Sequence, residues 1–266
     1  MAVGISAGPS RSVDGRGDRA TLITYMLLVL ITAGAWVHVV TGMAGDDMAG
    51  MGMVMAPTLG DGIAYVGAWA IMMAAMMLPS ALPMIGLYAG TQKAASAPAK
   101  ALSVSLFALM YLGLWTVTGV PVYAASLGLM AVTAETLPYV VAGVLVLAGL
   151  FQLTPLKQVC LRHCRSPIGF LLGHWRAGWA GALAMGGAHA VYCLGCCWAL
   201  MVVLVVAGAM GLPWVLLIAC GVAAEKLLPR GEWIARLTGV ALVLLGVAVG
   251  LRPALAVALR STGGSM

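Results

Sequence analysis

Charge is scarce in this 266-residue chain: 8% of its residues are charged and 62% hydrophobic, and the mean hydropathy is +1.04. Soluble domains carry about a quarter charged residues, so the composition excludes an ordinary soluble globule and points to an integral membrane protein. Alternating strand-like polarity is missing too, and the apolar runs are too long for barrel strands. Backbone groups in lipid must then be satisfied within helices, and the expected fold is an all-α polytopic bundle. Apolar runs near the roughly 20 residues that cross a bilayer fall at 20–41, 62–90, 101–128, 137–154, 180–208, 212–228 and 234–251, which predicts seven spans.

Other absences narrow the function. No P-loop and no large cytoplasmic domain is present, which excludes an ATP-driven pump within this chain. Carboxylates are nearly missing from the apolar runs. Asp61 and Glu225 stand at run ends, and Glu225 beside Lys226 reads as an interfacial pair with the lysine snorkelling outward. Any proton coupling would then run through thiols and imidazole, which lose protons on binding metal. A signal-peptide pattern is absent: residues 1–19 are a Gly/Ser/Arg-rich polar tail, expected to be disordered ahead of one transmembrane domain at 20–252 and a short tail at 253–266. All 14 Lys and Arg except Arg252 and Arg260 fall on one side if the N-terminus is inside. The net charge of +6 is thus a topology signal and not a nucleic-acid footprint. It predicts a membrane protein with the N-terminus inside and the C-terminus outside.

Sulfur is what the apolar runs do contain. In "HAVYCLGCCWALM" the residues Met185, His189, Cys193, Cys196 and Cys197 share a stripe about 120° wide on a helix, with Met201 at its margin. Cys193 with Cys197 and Cys193 with Cys196 have the i, i+4 and i, i+3 spacings that place side chains on one face. The second run, "WAIMMAAMMLPSALPM", clusters Met72, Met73, Met76 and Met77 ahead of Pro79 and Pro83, and proline kinks a membrane helix next to protein or a cavity. Taken singly, such methionines are core filler; four within six positions, set against three cysteines on another helix, read as ligands.

Two outlying clusters lie at the ends of the same route. "MAGDDMAGMGMVM" after His38 carries Met51, Met53 and Met55 in a glycine-rich loop, a loose thioether trap on the outer side. "KQVCLRHCRSP" carries Cys160 and Cys164 with His163 between them and His174 further on, expected in a cytoplasmic loop. A reducing cytosol argues against a disulfide there, and the spacing is not that of a C-x-x-C zinc module. Lone Cys220 reads as packing. Thiolate and thioether favour Cu(I), so Zn comes second.

The motifs "MMAAMMLPSALPM", "KQVCLRHCRSP", "CLGCCWALM" and "EKLLP" resemble a bacterial family of predicted metal-binding integral membrane proteins over about residues 60–230. The resemblance implies several spans and a metal site, with no reaction attached. The leading expectation is a non-enzymatic membrane protein that binds and moves Cu(I) along a Met/Cys/His ladder. A transmembrane thiol–disulfide electron carrier and an assembly factor that loads metal into a partner enzyme are the alternatives, and a metal chaperone is a possible partner.

Overall fold

A computed structural model of the chain describes residues 15–44, 58–92, 96–206 and 211–261. Every regular element in it is an α-helix: α1 (Gly15–Ala44), α2 (Leu59–Thr91), α3 (Ala97–Val117), α4 (Gly119–Met130), α5 (Leu137–Leu153), α6 (Pro155–Arg165), α7 (Pro167–His174), α8 (Gly178–Val206), α9 (Leu212–Leu227), α10 (Gly231–Leu251) and α11 (Ala254–Ser261). Helix starts follow local chemistry. Pro98, Pro138, Pro155, Pro167 and Pro213 stand in the first turns of α3, α5, α6, α7 and α9, where the missing N–H costs nothing. Thr58 and Asp61 form a reciprocal capping box at α2, satisfying two orphan donors.

Across the described residues all seven apolar runs are helical, but the helices α5 and α9 are shorter than the roughly 20 residues of a span. Among the described residues, five segments are long and apolar enough to cross a membrane: Leu22–Gly42, Leu59–Thr91, Ala97–Met130, Gly178–Val206 and Gly231–Leu251. A sixth exists if α5 and α6, bent by 63°, count as one broken span. The physical reason is proline. Pro155 ends α5 at 17 residues and opens a new helix capped by Thr154, while Pro213 and Pro229 bracket α9 at 16 residues. α1 starts at Gly15, and α11 covers Ala254–Ser261.

Apolar side chains fill the core and also cover the outside. Leu30, Leu109, Leu147, Val191 and Leu244 are exposed, which suits an apolar solvent, whereas Lys157, Glu225, Lys226, Gln152 and His189 are buried. The main core is built by α2, α3 and α8 with α9 against them. α3 and α8 touch closely at Gly186, where an added Cβ would collide with the Phe107 carbonyl. Small residues permit this approach, and in lipid such packing must replace the hydrophobic effect between helices. α5 packs on α10 in the same way, Gly149 lying against the Gly239 carbonyl.

Candidate metal centre

The centre forms where α8 meets the ends of α6 and α9. Met185, His189, Cys193, Cys196, Cys197 and Met201 are all buried on α8, so the sulfur ladder is the inward face of that helix. The Cys193 Sγ lies 3.0 Å from the Tyr111 hydroxyl of α3 and 3.0 Å from the Lys226 ammonium of α9. The Cys196 thiol donates to the Cys193 carbonyl at 3.1 Å and its Sγ stands 3.3 Å from Cys197 Sγ.

Cys164 joins this group, its Sγ 3.7 Å from that of Cys196. Cys160 and Cys164 were expected in a cytoplasmic loop. The stretch is helix α6, and the bend at Thr154 and Pro155 lays it against α8. Gly195 marks the closest approach, since a Cβ there would stand 2.7 Å from Cys160 Sγ. Four thiols on two helices thus converge.

α2 reaches the thiols differently than expected. α2 and α8 do not run packed along each other; α3 packs on both. The link is made by side chains: the Lys226 ammonium donates to Ser80 Oγ at 3.2 Å and points to Met77 Sδ at 4.0 Å, and the Tyr111 hydroxyl reaches the Met77 carbonyl at 3.4 Å. Met72, Met73, Met76 and Met77 are all buried in the same core, and Met77 is the one that Lys226 ties to Cys193. Met51, Met53 and Met55 lie outside the described residues. His38 and Cys220 are exposed on α1 and α9, so Cys220 is not a packing residue.

The reading of Glu225 and Lys226 as a snorkelling pair is overturned. Both are buried and they diverge. Lys226 turns to Cys193, whereas the Glu225 carboxylate takes a 2.6 Å ion pair from Lys157 and a 3.1 Å hydrogen bond from the Gln152 amide. Consecutive helical residues do not face each other, and that rule was the available signal. An interior carboxylate therefore exists where almost none was expected. Arg165 closes the end of α9 by donating to the Leu228 and Pro229 carbonyls at 2.6 and 2.7 Å.

The three donors of the Lys226 ammonium have Cys193, Ser80 and Met77 as neighbours, none of them a carboxylate. A buried cation needs a counter-charge, and sulfur is what faces it. His189 stacks on Tyr111 at 5.4 Å between centroids, and its Nδ1 has no hydrogen-bond partner. Among the described residues, no group of three or more His, Cys, Asp and Glu stands ready in metal-holding geometry; the thiols touch in pairs.

The fold and this cluster define an all-helical chain with a sulfur-lined, cation-braced interior. The chain matches the PpoB2 family, described as copper chaperone, over residues 66–249, and it belongs to that family. No curated protein and no solved structure matches it.

Proposed function

We propose that this chain is an integral membrane copper-handling protein, not an enzyme, that binds Cu(I) as cargo at Cys164, Cys193, Cys196 and Cys197 and hands it to a partner, across the bilayer or within it. The observation that carries this reading is the run of sulfur contacts from α6 into α8, Cys164 to Cys196 at 3.7 Å and Cys196 to Cys197 at 3.3 Å, with Cys193 buried one turn away on the same helix. Soft donors select Cu(I) over hard ions, and Met77 adds a weaker thioether. Charge is compatible with the same ion: Cu(I) held by two of the four cysteines as thiolates carries one net negative charge, which the Lys226 ammonium compensates. Membership of a copper chaperone family supports hand-over as the role. Binding closes the pairwise thiol contacts around the ion, releases their protons and moves no electron.

A second reading, thiol–disulfide exchange, has one observation in its favour, the 3.7 Å approach of the Cys164 and Cys196 sulfurs from different helices. The purified protein separates the two. Copper handling is expected to give about one tightly held Cu(I) per chain with all six cysteines titrating as free thiols once the metal is stripped. Missing thiols and no copper would instead support redox exchange.

The proposed orientation in the bacterial inner membrane counts the short helices α5 and α9 as crossings, seven in all, and keeps the N-terminus inside and the C-terminus outside, as the distribution of Lys and Arg asks. Lys157 and Lys226 are buried and no longer count toward that bias, but Arg162, Arg165, Arg176, Arg230 and Arg236 remain on the same side. A reporter active only in the cytoplasm and fused after Met266 is expected to be silent; an active one would reverse the orientation of the C-terminus.

A further inference from the structure

Beside the thiol cluster, α6, α7 and α8 build a second set of donors that the proposed site does not use. His163 of α6 and His174 of α7 are partly exposed, with ring centroids 6.4 Å apart. Tyr192, the residue before Cys193, fixes both: His163 lies flat on its ring at 4.2 Å and an interplanar angle of 1°, and His174 meets it edge-on at 5.7 Å. Each imidazole is also held by its own helix, the Nδ1 of His163 to the Val159 carbonyl at 2.9 Å and that of His174 to the Phe170 carbonyl at 3.2 Å. A carbonyl only accepts, so Nδ1 carries the proton in both rings and the neutral ring keeps its lone pair on Nε2. An N–H committed to a backbone carbonyl is the usual support of a metal-binding histidine.

We infer that His163 and His174 form an outer copper port that captures Cu(I) and passes it to the thiol cluster. The inference rests on the copper reading above. A metal–nitrogen bond of about 2.0–2.1 Å lets one ion join two imidazoles whose centroids are up to roughly 6.4 Å apart. The pair stands at that limit, which calls for two ligands in line, an arrangement suited to Cu(I) and not to tetrahedral zinc. The way inward is short. Cys164 follows His163 in the chain and turns its sulfur to Cys196. Phe170 stacks on His174 at 4.6 Å and meets the ring of His189 at 5.5 Å, and the buried Nδ1 of His189 is unpartnered. Transfer exchanges neutral nitrogen ligands for thiolates: copper stays Cu(I), two N–Cu bonds break as two S–Cu bonds form, and the thiol protons leave to water.

The test uses the full chain in detergent and Cu(I) delivered as its bicinchoninate complex. His163→Phe with His174→Phe keeps the rings that stack on Tyr192 and removes both lone pairs. The expected result is an unchanged copper content at equilibrium and a loading rate lower by about 10-fold or more, the least that losing a metal-orienting group costs. An unchanged rate overturns the port. If the double variant does not fold, rapid-freeze X-ray absorption of the wild-type protein loaded from a Cu(I) chloride complex, which brings no nitrogen of its own, decides: nitrogen scattering at early time points that gives way to sulfur supports the port, and its absence throughout overturns it. Failure of the thiol site itself reads differently, as a wild-type protein that holds no copper at equilibrium.

Discussion

Cys193→Ser combined with Cys197→Ser is expected to strip the protein of tightly bound Cu(I) while the helices stay folded. Serine nearly preserves the volume of cysteine, and its hydroxyl can still accept from the Lys226 ammonium and the Tyr111 hydroxyl that now meet Cys193 Sγ at 3.0 Å. Lys226 thus keeps hydrogen-bond acceptors in the new hydroxyl and in Ser80 Oγ but loses the sulfur counter-charge, so some loss of stability is expected beside the loss of copper. What changes is softness, since a hydroxyl is a poor ligand for Cu(I). The affinity loss should exceed the about 10–100-fold that follows removal of a merely orienting neighbour. Met77→Leu conserves size and apolarity and costs little stability, so it should lose less copper than the cysteine pair. Cys220→Ser, at an exposed position on α9, should lose none. Copper per chain, read beside helical circular dichroism, gives the ranking. Full copper in a folded Cys193/Cys197 double variant would remove the thiol cluster as the binding site.

The ingredients of this site were legible and its assembly was not. Apolar runs announce helices because lipid leaves the backbone no other partner, and the stripe from Met185 to Met201 announces a buried face because 3.6 residues make a turn. The union of Cys164 with Cys196 depends on a 63° bend between α5 and α6; Pro155 marks where a helix starts, but not the direction in which it leaves. Lys226 was misplaced for a different reason. A charge at a run end is most often solvated, yet the 100° turn from Glu225 to Lys226 sends one to α5 and α6 and the other to α8. Tyr111 had no signal at all, being one hydroxyl in an apolar run. The histidine pair depends likewise on how α6 and α7 fold back on Tyr192.

The other large expected effect lies at Glu225. Its carboxylate is 1% exposed and Lys157 is fully buried, 2.6 Å away, with Gln152 as the remaining donor. Breaking such a pair from one side leaves an uncompensated interior charge and costs about 3–5 kcal/mol, whereas replacing both partners together is often close to neutral. Lys157→Met strands the carboxylate and should lower the thermal unfolding temperature in detergent sharply. Adding Glu225→Gln removes the stranded charge and should recover most of the loss, because Gln152 still has an amide oxygen to donate to. The sign of the coupling is the discriminating feature: the double variant must be more stable than Lys157→Met alone. Two losses that simply add would mean that Lys157 and Glu225 stabilise the fold through separate contacts. The rescued double variant should also keep its copper, since Lys226, which points the opposite way from Glu225, retains Cys193, Ser80 and Met77 around it. Loss of copper in a rescued, folded protein would instead make the interior carboxylate part of the ion's path.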